Sequence, residues 1–132
     1  MTALAADRNT PMQDGAKQGY PVAAGAVIYA GALMGINGSG YAVPMTQAAG
    51  LACVGVAEFQ YNNASGAAAA LTAIAQRRKC FRFNNPNAIT LASAGATVYA
   101  LDDNSVTLTA AGASAVGTIF NVDAAGVWVC IP

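Results

Sequence analysis

Short apolar runs separated by turn residues dominate the chain. The final run, Val127–Ile131, is apolar on both faces, which predicts a strand that is central in its sheet or covered. The runs with the length and composition of strands are Ala26–Ala30, Gly40–Val43, Val54–Phe59, Lys79–Phe83, Thr97–Leu101, Ser105–Thr109, Ala115–Val122 and Val127–Ile131.

Three connections between these runs carry turn chemistry. Asn37-Gly38 lies within Gly35–Gly40, and the other two connections are Asp102–Asn104 and Asp123–Gly126. Asn, Asp and Gly tolerate the backbone angles of tight hairpins. Because no βαβ spacing occurs, the pattern predicts an all-β fold, an antiparallel β-sandwich or barrel of jelly-roll-like type.

Two segments depart from the strand pattern. Residues 64–79 are rich in alanine and are equally compatible with a helix and with a strand or extended loop. Residues 1–20 contain much of the charge and few apolar side chains, so we expect an extended N-terminal arm that a partner orders. Residues 21–132 are then a single β domain.

The composition is apolar and electrically neutral. Hydrophobic residues make up 55% of the chain and charged residues 9%, with a formal net charge of zero, whereas an average soluble domain is roughly 25% charged. A neutral chain has no overall field to attract nucleic acid or an anionic membrane. The start of the chain has no basic segment followed by an apolar one, so we expect a soluble protein made in the cytosol.

The residue types available limit the chemistry. There is no histidine, which removes the usual general base and the commonest transition-metal ligand, so we expect neither an enzyme nor a metal or cofactor. Cys53, Cys80 and Cys130 are far apart in sequence, and we expect free, buried thiols in a reducing compartment. The Asp102–Asn104 segment lacks the rest of a calcium loop and is predicted to be an Asx turn.

Three groups of residues are candidates for contact with a partner. The arm provides Asp7, Arg8, Asp14, Lys17 and Tyr20, and a basic cluster provides Arg77, Arg78, Lys79 and Arg82. The cluster has two interpretations of equal weight, a docking patch for acidic groups and a charged strand edge that resists aggregation. Trp128, the single tryptophan, is expected to be a core anchor, with a self-association hot spot as the alternative.

The order of several segments resembles a known family. The segments are Pro21–Val27, Gly40–Pro44, Val54–Ala57, Phe81–Asn85, Val98–Asp103, Ala115–Thr118 and Val122–Val129. Together they resemble the head decoration, or capsid cement, proteins of tailed bacteriophages. The Asp102-Asp103 pair and the Gly126–Val129 segment are the most distinctive parts of the resemblance.

This resemblance implies a non-enzymatic virion protein on the outer surface of the capsid. Such a protein is made in the host bacterial cytoplasm, bridges neighbouring subunits of the major capsid protein and stabilises the shell against the pressure of its DNA. It would also associate with itself as a dimer or trimer. The alternatives are another virion component, such as a tail or head-completion protein, and a carbohydrate-binding β-sandwich module.

Overall fold

The computed structural model describes residues 2–132 and is almost entirely β, with 43% of residues in strands and 2% in helix. A single 3₁₀ turn in these residues spans Leu91–Ser93. The strands are β1 Lys17–Pro21, β2 Val27–Ile28, β3 Leu33–Ile36, β4 Ala42–Pro44, β5 Ala52–Ala57, β6 Tyr61–Asn62, β7 Thr72–Gln76, β8 Lys79–Phe83, β9 Thr97–Ala100, β10 Val106–Thr107, β11 Ala115–Asp123 and β12 Gly126–Ile131.

The strands form two five-stranded antiparallel sheets and one small ribbon. The first sheet has the order β1-β7-β5-β3-β4, the second has the order β10-β9-β11-β12-β8, and β2 pairs with β6. The predicted all-β sandwich is therefore confirmed. The jelly-roll connectivity is not confirmed, because each five-stranded sheet takes all its strands from one half of the chain.

The two halves of the chain, residues 17–76 and 79–131, have the same topology. If the five sheet strands of each half are numbered in chain order, both sheets read first, fifth, fourth, second, third. An isolated parallel bridge then joins the end of the first strand to the third strand, at Val22↔Ala42 in the first half and Asn84↔Ser105 in the second. The fold is thus an internal duplication of one five-stranded unit.

The hydrogen bonds at the entry to the second strand of each half repeat as well. The amide of Gly31 donates to the carbonyl of Ala57 at 2.9 Å, and the amide of Gly95 donates to that of Ile119 at 2.9 Å. Both glycines adopt positive φ angles, 85° and 87°, which residues with a Cβ rarely adopt. The tripeptide Ala-Gly-Ala occurs at both places, at 30–32 and 94–96.

A longer sequence repeat covers the fourth strand of each half. Ala-Ala-Gly followed after three residues by Val-Gly occurs at 48–55 and again at 110–117. A Cβ at Gly55 would collide with the carbonyl oxygen of Gln76, and one at Gly117 with that of Cys130. In both halves, therefore, glycine permits the close approach of the neighbouring fifth strand.

Two hydrophobic clusters form the core. One belongs to the first half alone and includes Val22, Met34 and Ala73. The other fills the second half, but it also contains Leu33 and Val56 from the first half. Neighbouring residues of β3 therefore point to different clusters, and the second cluster joins the two halves.

The structure resolves two of the open sequence expectations. Within residues 64–79 the chain is a loop followed by strand β7, so the helix alternative is wrong. Strand β12 lies between β11 and β8, which confirms the central position predicted for the last apolar run. Residues 17–20 of the predicted arm belong to β1, which pairs with β7.

Candidate functional site

Trp128 lies on the solvent side of the second sheet and belongs to neither core cluster. Its neighbours Val127 and Val129 point into the core, and the alternation of the strand turns Trp128 outward, where it is half-buried. The expectation that Trp128 is a core anchor is therefore wrong. The physical reason is that a strand with two apolar faces does not show from its sequence which face is covered.

The indole of Trp128 is held by two charged side chains. Its Nε1 donates a hydrogen bond of 2.9 Å to Oδ2 of Asp123, and the Arg82 guanidinium carbon lies 5.7 Å from the ring centroid. Arg82 is the direct cross-strand partner of Trp128 in the β8–β12 pair. The hydrogen bond from Trp128, reinforced by the amides of Ala125 and Gly126, holds the pKa of Asp123 below its ordinary value.

Phe120 adds an exposed aromatic ring to the same strand pair. The register between β11 and β12 shifts between Ile119 and Asn121, which leaves Phe120 as the extra residue of a bulge. Its side chain is 66% exposed. Sequence reasoning missed this residue because Ala115–Val122 reads as one uninterrupted strand.

The basic cluster does not form one free patch. The Nε of Arg77 donates to the carbonyl oxygen of Pro132 at 2.6 Å, and Arg78 forms an ion pair with Asp14 at 3.3 Å. Lys79 and Arg82 are exposed on β8, an edge strand of the second sheet, and the strand alternation places them on opposite faces. Two of the four cations thus bind Pro132 at the C-terminus and Asp14 at the base of the arm, and the other two lie on a strand edge.

The candidate residues of the arm also separate into two groups. Asp7 and Arg8 are exposed, and no ion pair involves them among residues 2–132. Asp14 is bound to Arg78, Lys17 pairs with Glu58 at 2.9 Å, and Tyr20 packs against the first-half cluster. The base of the arm is therefore fixed to the folded body, whereas residues 2–14 are exposed.

The cysteines differ from the sequence expectation. Cys80 and Cys130 face each other across β8 and β12 and form a disulfide, so the expectation of three free thiols is wrong. The expectation of a reducing compartment depended on free thiols, so this bond removes its basis. Cys53 is a free thiol, and burial raises its pKa above the ordinary value.

The disulfide lies in an open groove of about 660 Å³. The strand register places Thr97, Thr118, Cys130 and Cys80 side by side across four strands, and all four line the groove. Its other lining residues are Cys53, Arg78, Lys79, Ala115, Val116, Gly117, Ile131 and Pro132. We refer to this feature as the disulfide groove.

The predicted Asx turn is confirmed. Oδ1 of Asp102 accepts a hydrogen bond of 2.7 Å from the amide of Asn104 in the β9–β10 hairpin. Burial, followed by the charge of Asp102, raises the pKa of Asp103. Within residues 2–132 no three side chains of the usual metal-binding types come together.

Across residues 2–132, no helix has the length and apolar character needed to cross a membrane. Comparison of the chain with protein-family models, with curated proteins and with solved structures found no match.

Proposed function

We propose that this chain is a non-enzymatic decoration protein of a tailed-bacteriophage capsid. It binds the outer surface of the shell, bridges neighbouring subunits of the major capsid protein and stabilises the closed lattice by its binding free energy. Synthesis takes place in the cytoplasm of the bacterial host, and the mature location is the virion. The proposal rests on the segment order described above, from Pro21–Val27 to Val122–Val129.

The observation that best supports this role is the exposed arm on a folded β body. Residues 2–14 are exposed, and Leu4 and Met12 within them are 74% and 96% exposed. Large apolar side chains in an extended segment gain free energy when a partner covers them. The ion pair between Asp14 and Arg78 fixes the point from which this arm leaves the body.

The weakly charged surface supports an interface role as well. Only 9% of the residues are charged, and charged residues are depleted at the centre of protein interfaces. Arg82 on β8 and Arg8 of the arm are exposed and form no ion pair within residues 2–132, so both remain available to acidic groups of a capsid subunit. The carbohydrate-binding alternative gains no support from Trp128, because Arg82 lies over its ring.

Co-sedimentation tests the proposal directly. The purified chain is mixed with undecorated, expanded capsids of the phage that encodes it, and bound copies per major capsid subunit are counted. We expect saturation at hundreds of copies per particle. Saturation at a few copies would instead indicate a tail or head-completion protein, and no co-sedimentation would overturn the proposal.

Removal of residues 2–13 tests the role of the arm. We expect the occupancy at equal concentration to fall at least tenfold while the melting temperature stays the same, because these residues lie outside both core clusters. Leu91→Ser, which removes an exposed apolar side chain outside the arm, is the matched control. Full occupancy of the truncated chain would contradict a contact role for the arm.

A further inference from the structure

The disulfide groove has an apolar lining and a basic rim. Ala115, Gly117 and the Cys80–Cys130 disulfide contribute apolar surface, whereas Arg78 and Lys79 contribute positive charge. Arg78 already binds the carboxylate of Asp14, which shows that this rim accepts an acidic side chain of the arm. Lys79 is exposed and forms no ion pair within residues 2–132.

The first residues of the arm have the complementary composition. Residues 3–7 read Ala-Leu-Ala-Ala-Asp, one large apolar side chain among small ones followed by a carboxylate. Leu4 is 74% exposed, and Asp7 has no ion pair among the described residues. Small residues suit an open groove that Gly117 and Ala115 line, because both chains can then approach closely.

The arm is long enough to reach another molecule. Its base is held by Asp14 on Arg78 and by a hydrogen bond of 3.0 Å from Gln13 to Gln18. From Gln13 back to Leu4 the chain can extend by at most about 30 Å. In the isolated chain Leu4 remains in solvent although the groove lies next to the base of the arm.

We propose that residues 3–7 of one copy bind in the disulfide groove of a second copy of this chain. Leu4 packs against Ala115 and the Cys80–Cys130 disulfide, and Asp7 forms an ion pair with Lys79. Arm exchange of this kind links copies through two complementary features of the same chain, an exposed apolar segment and an open groove. It takes place in the free protein and does not depend on capsid binding, and it leaves Arg8 and Met12 of the arm exposed for contact with the shell.

Cysteine cross-linking tests the placement of the arm. An isotopically labelled Leu4→Cys, Cys53→Ser variant is mixed with the unlabelled natural chain and oxidised with copper phenanthroline at pH 8.5. The only free thiol in the groove then belongs to the unlabelled copy, so a disulfide from position 4 to Cys53 can form only between chains. Leu91→Cys in place of Leu4→Cys is the control, since Leu91 is also exposed but lies in the 3₁₀ turn.

We expect the Leu4→Cys variant to give a mixed-mass peptide that joins position 4 to Cys53, and the Leu91→Cys control to give at least tenfold less of its own link. Equal yields from the two variants, or no link between position 4 and Cys53, would overturn the proposal. The single variant Leu4→Cys, oxidised at low protein concentration, tests whether the arm instead binds in the groove of its own chain. A link within one chain as its main product would show that each arm fills its own groove, which also overturns the proposal.

Sedimentation equilibrium tests the ion pair. Asp7→Lys should weaken self-association at least tenfold, and the exchange of both charges in Asp7→Lys, Lys79→Asp should restore it. Neither residue contributes to a core cluster, so both variants keep the fold. Unchanged association of the Asp7→Lys variant would contradict the proposal, as would a double variant no better than the single one.

Discussion

At the scale of single residues, the environment of Trp128 was the least predictable feature. A run such as Val127–Ile131 gives no periodicity from which the covered face can be read. In the structure Val127 and Val129 are buried, whereas the indole of Trp128 contacts Arg82 and donates a hydrogen bond to Asp123. Sequence does reveal the Asp123–Gly126 turn that supplies the carboxylate, but it does not reveal that this carboxylate reaches the indole.

The hydrogen bond between Trp128 and Asp123 should be visible in the pH dependence of fluorescence. The pKa of Asp123 is lowered, chiefly by the indole hydrogen bond, so the bond is intact above the ordinary Asp pKa and is lost as the pH falls through the lowered value. Because Trp128 is the only tryptophan, its emission reports this one step. We expect an acid transition with a midpoint below the ordinary Asp pKa.

Two variants separate this transition from general acid unfolding. Asp123→Asn should remove the transition, whereas Asp102→Asn, which changes another Asx-turn carboxylate distant from the indole in sequence, should keep it. Circular dichroism at each pH identifies unfolding independently. A transition that survives in Asp123→Asn with the same midpoint would show that another group controls the fluorescence.

At the scale of elements, the strands of the second half follow from the sequence, whereas β1 and β3 of the first half and the pairing of distant strands do not. The Asp102–Asn104 and Asp123–Gly126 turns connect strands that the pattern places beside them, but the Asn37-Gly38 turn connects β4 to β3, which the pattern did not predict. Pairing between distant elements depends on long-range packing. No local sequence feature therefore predicts that β1 pairs with β7. The same limit hid the disulfide, because Cys80 and Cys130 are brought together only by the β8–β12 register.

The disulfide should contribute strongly to the stability of the second sheet. It closes a loop with a sequence separation of 50 residues and joins edge strand β8 to its only sheet neighbour, β12. The entropy of closing a loop of this length corresponds to about 4 kcal/mol. We therefore expect Cys80→Ser, Cys130→Ser to lower the free energy of unfolding in urea by about 3–4 kcal/mol.

Reduction of the natural chain provides the matched measurement. Treatment with a phosphine reductant should bring its urea midpoint close to that of the double variant, whereas Cys53→Ser should respond to the reductant as the natural chain does. A natural chain whose midpoint does not change on reduction would show that the bond does not form in solution.

At the scale of the whole molecule, the duplication leaves short repeated peptides in the sequence, but composition and strand pattern do not reveal it. The repeated residues are glycines and alanines, such as Gly31 and Gly95, which are frequent throughout this chain. Only the hydrogen bonds and the φ angles show that they occupy equivalent places. The insertion of β6 and the loop to β7 in the first half further obscures the repeat, because the matching connection in the second half is the short Asp123–Gly126 turn.

A duplicated fold raises the question of whether its halves unfold separately. Leu33 is fully buried and belongs to the cluster that fills the second half, while the adjacent Met34 belongs to the cluster of the first half alone. Because Leu33 crosses from one sheet into the core of the other, we expect one cooperative transition. Leu33→Ala should then lower the free energy of unfolding by about 2–5 kcal/mol. It should also lower the urea midpoint that Trp128 reports in the second half.

Met34→Ala is the matched variant, since it removes a buried side chain of β3 on the opposite face. If the halves unfold together, both variants lower the Trp128 midpoint, and amide exchange accelerates together in β5 and β12. If the halves were independent, Met34→Ala would accelerate exchange in β5 alone and leave the Trp128 midpoint at its natural value. The second outcome would mean that Leu33 and Val56 dock two separately stable units, and the cluster they enter would then be an interface within the chain instead of a common core.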